Sequence, residues 1–144
     1  MILLDTNYLI RALVEDAPEA QTIRGWLTEG ESLCTSSIVW YEFLCGPVDE
    51  DGVELVSSLL DNRLLPFTAD QAAESARLFN AVGRARRLRI DAMIAAAAIV
   101  ANAALATDSM EDFGAFTPFG LRLYRGRTQS VITTDGDIET DPNR

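Results

Sequence analysis

The chain has 144 residues, of which 48% are hydrophobic, and a net charge of −10. This length and apolar content suit one folded domain with its own core and exclude a disordered chain. Histidine and lysine are both absent, which removes the Ser-His-Asp triad, the common zinc sites, the P-loop lysine and Schiff-base chemistry.

The first residues, Met-Ile-Leu-Leu-Asp-Thr-Asn, are an apolar run ending on a carboxylate. Such a run reads as a buried strand, with Asp5 at its carboxyl end, where parallel sheets place their sites. Read locally, Asp5 is the cap of a helix over 8–14. Pro18 opens a second helix, 18–28, with Ala20, Ile23, Trp26 and Leu27 on its inner face, and Gly30 stops it. A strand over 32–35 follows, then a helix capped by Ser36 or Ser37 that runs to Cys45. Residues 53–60 read as helix, 64–67 as a strand interrupted by Pro66, and 69–83 as a helix with Ala72, Ala76, Phe79 and Ala81 among its apolar positions. The nearly all-apolar stretch 91–104 predicts a central, buried helix. Short strands are expected at 105–107 and 121–124, with an edge strand at 130–134. Strands alternating with helices imply a parallel α/β sheet covered on both faces.

Cys34 and Cys45 have no Cys-x-x-Cys spacing and lie among apolar neighbours, so both are expected as reduced core residues. The first residues lack the basic n-region of a signal peptide, and the longest apolar run, 92–101, is too short for a bilayer. A cytoplasmic protein with no membrane partner is the expectation. Net acidity argues against nonspecific nucleic-acid binding. The charge is uneven, however. Arg84, Arg86, Arg87 and Arg89 fall within six positions, whereas residues 126–144 form an acidic tail with Asp135, Asp137, Glu139 and Asp141.

Four acidic positions each stand at the edge of a buried apolar element: Asp5, Glu42, Asp91 and the Asp108/Asp112 pair. Each has a structural reading of its own: a cap, an exposed helix face, a helix-dipole partner, a surface turn. One metal cluster accounts for all of them. Oxygen ligands without His or Cys select hard cations, Mg²⁺ or Mn²⁺. Two such ions clamp an in-line phosphoryl displacement. The arginines, two to seven positions before Asp91, suit phosphate through their planar forks.

The chain resembles the PIN-domain ribonucleases, of the VapC toxin type from bacterial toxin–antitoxin modules. Four motifs carry the resemblance in the family's order: Leu3-Leu4-Asp5-Thr6-Asn7; Glu42 within 37–44; Ile90-Asp91-Ala92-Met93-Ile94-Ala95-Ala96; and Leu105-Ala106-Thr107-Asp108-Ser109-Met110-Glu111-Asp112-Phe113. The match covers about residues 1–125, and the tail 126–144 departs from the pattern. The resemblance implies a single domain with a five-stranded parallel sheet and helices on both faces. It implies a Mg²⁺ or Mn²⁺ site formed by Asp5, Glu42, Asp91 and Asp112, with Asp108 joining or replacing Asp112 and with Thr6 and Thr107 supporting the acids. It further implies an endoribonuclease acting on structured RNA, a small VapB-like antitoxin partner and a homodimer.

Two rivals stay open. One is a non-catalytic RNA- or protein-binding module that keeps the fold alone. The other is a different Mg-dependent phosphoryl-transfer enzyme, a receiver domain or a haloacid-dehalogenase-like phosphatase. The receiver needs a lysine that this chain lacks. The phosphatase expects a second Asp two residues after the first, where Asn7 stands.

Overall fold

Ile2–Leu4 (β1) lies between two strands that come from opposite halves of the sequence. This is a computed structural model, and it describes residues 1–124. On one side of β1 runs Leu33–Ser36 (β2), followed by Leu64–Leu65 (β3); on the other runs Ala104–Ala106 (β4). The sheet order is β3-β2-β1-β4, with every pair parallel. Register aligns Leu3 with Cys34 on one side and with Leu105 on the other. All three β1 residues are at most 1% exposed. Successive strand residues point to opposite faces, so both faces of the sheet are covered.

The helices are Thr6–Ala12 (α1), Pro18–Thr28 (α2), Ser37–Leu44 (α3), Glu50–Leu59 (α4), Ala69–Ala81 (α5), Arg89–Val100 (α6) and Met110–Gly114 (α7). Side chains start four of them: Asp5, Ser36, Asp49 and Thr68 each accept a hydrogen bond from a first-turn backbone N–H. Pro18 opens α2, and Gly30 at φ +80° turns the chain out of it. Ala92 and Ile94–Ala98 of α6 are all buried. Their small side chains let α6 pack closely along α5 and against α3.

The fold class is the expected one, with corrections of detail. Among the described residues, the fifth strand, expected at 121–124, is one parallel bridge between Leu123 and Leu105. Two hydrogen bonds hold it, from Leu105 N to Arg122 O and from Tyr124 N to Leu105 O. β3 stops at Leu65 because Pro66 has no N–H to extend the ladder. Helix α5 buries Gln71, Ser75 and Leu78, whereas Ala72 and Ala76 face solvent. Its apolar count misled because polar Ser75 is satisfied locally by donating to the Gln71 carbonyl at 2.6 Å. On α2, Leu27 stays 38% exposed while Ala20, Ile23 and Trp26 are buried. Cys34 is buried, and burial pushes its thiol up to about 11. Cys45, at the end of α3, is exposed. Helix α7 is an addition to the expected elements, and the arginine-rich segment, read as a loop or helix start, forms the 3-10 turn Arg86–Leu88 directly before α6. The expected edge strand at 130–134 and the acidic tail lie outside the described residues. No described helix is long and apolar enough to cross a membrane.

Candidate active site

After β1 the chain turns to β2 on one side and only later returns to the other side as β4. The carboxyl ends of β1 and β4 therefore flank the point where strand order reverses, the usual crevice of an open parallel sheet. Asp5 follows β1 there and is 6% exposed. Its Oδ1 accepts from the Thr6 backbone N–H at 2.9 Å, so it does cap α1. Its Oδ2 accepts from the Thr107 hydroxyl at 2.7 Å. Thr107 stands directly after β4 and in turn accepts from the Ser109 N–H at 3.0 Å. The cap reading and the site reading of Asp5 thus coexist, one on each carboxylate oxygen. Burial pushes this carboxyl up, and the hydrogen bonds from Thr107 and Thr6 oppose it.

Thr6 donates its hydroxyl to Glu42 Oε2 at 2.7 Å, joining the start of α1 to the last turn of α3. Asp91 lies in the first turn of α6, third in the helix rather than at its start. Its carboxyl is pushed up to about 6 by burial, then by the negative charges of Asp5, Asp112 and Glu42, with Arg87 opposing. A helix N-terminus was expected to keep Asp91 firmly ionised. Burial and three acidic neighbours outweigh the dipole.

The two candidates for the fourth acid diverge. Asp112, in α7, acts on Asp91, and its Oδ1 accepts from Arg87 Nη1. Phe113 beside it is 1% exposed and anchors the helix. Asp108 instead faces α2. Its carboxyl is raised by partial burial and by the neighbouring Glu19 carboxylate, with Arg11 opposing and the charge of Asp5 adding to the rise. Glu19 was missed by sequence reasoning. Its side chain is 13% exposed and lies 3.7 Å from Arg11. A Glu in the first turn of a helix reads as an ordinary dipole partner, so the sequence held no signal for it. The charges of Asp108 and Glu19 also add to burial in raising the Tyr8 hydroxyl.

The four arginines do not form one track. Arg84 and Arg89 both lie over the Phe79 ring, 5.8 and 5.1 Å from its centre. Arg87 reaches the acids, and Arg86 is exposed without a hydrogen bond or ion pair among the described residues.

The acids supply only oxygen donors, the chemistry that a hard divalent cation requires. Among the described residues, however, no three acidic or sulfur side chains stand close enough to form a ready-made cation cage. The site is a mutually repelling set, clamped by threonines at Asp5 and Glu42 and by an arginine at Asp112.

The sequence matches the PIN domain family over residues 2–111. The chain belongs to the PIN-domain family. Its sheet order differs from the 2-1-3-4-5 order of receiver domains, which separates it from that rival. The PIN-domain chain also resembles solved toxin–antitoxin structures. FitAcB from Neisseria gonorrhoeae is 26% identical, covering 80% of this chain and 92% of that one with a TM-score of 0.59. VapBC2 from Rickettsia felis, bound to a DNA fragment from its promoter, is 25% identical, covering 79% and 92% with a TM-score of 0.57. VapBC-1 from nontypeable Haemophilus influenzae is 21% identical, covering 90% and 100% with a TM-score of 0.62, a likeness of fold alone. No curated protein matches the chain.

Proposed function

We propose that this PIN domain is the toxin of a toxin–antitoxin pair, an endoribonuclease that hydrolyses phosphodiester bonds in structured RNA. The observation that carries the reading is the gathering of acids at the sheet's switch point, with Asp5 held by Thr107 and Glu42 by Thr6, and with Asp91 acted on by its acidic neighbours. Three acids from β1, α3 and α7 act on one carboxyl of α6 at the switch point of the sheet. Four converging acids destabilise a fold unless a cation offsets them. Asp5, Glu42, Asp91 and Asp112 would hold Mg²⁺ or Mn²⁺. Such ions, when bound, supply an activated water and stabilise the leaving oxygen of an in-line displacement.

The chain's own residues have separable tasks. Thr107 keeps one oxygen of Asp5 oriented, and the α1 backbone fixes the other. Thr6 orients Glu42 in the same way. Asp108 ranks behind Asp112, because Asp112 acts on Asp91 whereas Glu19 acts on Asp108 ahead of Asp5. Arg86 is free to meet RNA phosphates at the rim, and Arg84 and Arg89 line the same segment against Phe79. The toxin–antitoxin structures that the chain resembles support a VapB-like antitoxin as its partner. The homodimer follows from the same family reading, and the cytoplasmic location is proposed from the sequence.

The lack of a ready-made cation cage favours a second reading, a PIN-like module that binds RNA or protein without cutting it. Incubating a structured RNA pool with the purified protein and Mg²⁺ or Mn²⁺ decides between the two. Cleavage that stops on chelation and in Asp5→Asn supports the nuclease. Binding without metal-dependent cleavage supports the module. Sequencing RNA ends after expression in cells then identifies the cut.

A further inference from the structure

Among the described residues, Arg87 is the one cation that touches an acid of the candidate site. Both partners are built in by buried anchors next to them. Arg87 belongs to the 3-10 turn Arg86–Leu88, pinned by Leu88 at 2% exposure; Asp112 belongs to α7, pinned by Phe113 at 1%. Helices α6 and α7 pack on one another, which brings the two turns together across 25 positions of sequence. The other arginines of the segment are directed elsewhere, two onto Phe79. We propose that Arg87 is a resident counter-ion for Asp112, which a divalent cation must displace before Asp112 can act as its ligand, so that Arg87 sets the affinity of the site for metal.

The inference rests on the metal-dependent reading of the acid cluster and specifies how entry to it is regulated. An arginine guanidinium keeps its charge at every physiological pH. It therefore cannot leave Asp112 by losing its proton, and the contact yields to competition by another cation. The pair is also half open to water, at 69% and 46% side-chain exposure. An exposed pair is weak, so it can be displaced; an apolar, buried one would lock the site. Removing the arginine should tighten metal binding by about two- to fivefold, the equilibrium equivalent of an exposed pair.

The test is Mn²⁺ binding alone, measured by calorimetry on the full chain and on Arg87→Ala, Arg87→Gln, Arg24→Ala and Asp5→Asn. Arg24→Ala removes the same charge from α2. The proposal expects Arg87→Ala and Arg87→Gln to bind Mn²⁺ more tightly than the parent chain, with Arg24→Ala unchanged and Asp5→Asn weakened. Equal affinity in parent and Arg87 variants, or weaker binding in the variants, overturns the proposal while leaving the metal site standing. Equal tightening in Arg24→Ala reduces the effect to overall charge and also overturns it. Absence of Mn²⁺ binding in every protein overturns the metal reading itself, and the proposal with it.

Discussion

Thr107 donates its hydroxyl to Asp5 Oδ2 at 2.7 Å across 102 positions of sequence, tying the end of β4 to the end of β1. Both residues are buried, so the bond is shielded from water. Thr107→Val keeps the shape and removes the donor. It should cost about 1.5–3 kcal/mol of stability, the range for a hydrogen bond to a charged group. It should also lower RNA cleavage more than it lowers RNA binding, because Asp5 loses its orientation. Thr107→Ser should restore most of both in a thermal melt and a cleavage assay. A Val variant with unchanged cleavage would show that Asp5 needs no support.

Asp91 gives the protein a pH dependence whose sign is set. Its carboxyl stands at about 6 in the fold against an ordinary 3.8. The folded chain therefore binds the proton more tightly than the unfolded one, and this residue's contribution to stability rises as pH falls from about 7 towards 4. Because Asp91 is only half-buried, solvent screening discounts the effect to about 1–2 kcal/mol. Asp5, raised by burial, acts in the same direction. Asp91→Asn should melt higher than the parent at pH 7.5, flatten the rise between pH 7 and 5, and abolish cleavage. A melting temperature that falls in Asp91→Asn at pH 7.5 would contradict the repulsion described for the cluster.

The two acids of the fourth motif should separate cleanly. Asp112 acts on Asp91, whereas Asp108 is acted on mainly by burial and by Glu19. Asp112→Asn should lose cleavage by at least tenfold, and Asp108→Asn should keep most of it. Side-by-side cleavage assays settle the order. Inactivity confined to Asp108→Asn would reverse the assignment.

How so acidic a chain holds RNA is also testable, through Arg86. It is exposed and makes no ion pair among the described residues. Arg86→Ala should weaken RNA binding and reduce its salt slope by about 0.7, the value for one phosphate contact on a single strand. Arg84→Ala and Arg89→Ala remove contacts to Phe79. If they act only through Phe79, they should lower the melting temperature slightly and leave the slope alone. An unaltered slope in Arg86→Ala places the RNA track elsewhere.

The sequence by itself determined what depends on near neighbours. Helix α2 begins at Pro18 and ends at Thr28 as read, because a proline start and a glycine stop act within one turn. Ser36 caps α3 and Asp5 ends β1 for equally local reasons. The burial of the middle of α6 was legible because nine unbroken apolar residues, 92–100, leave little polar face for water. Only the tertiary structure decided what depends on distant pairing. Strand order places β4 beside β1, and so brings Thr107 to Asp5. The pairing of Leu123 with Leu105 is likewise decided by where β4 lies and not by neighbours in sequence. Asp108 and Asp112 look alike in sequence, four positions apart. Helix α7 turns one towards Asp91 and leaves the other with Glu19. The four arginines, equivalent as a charge run, divide because, among the described residues, only one of them has an acid from another element within reach. Charge is a property of each residue, but its partner is chosen by packing.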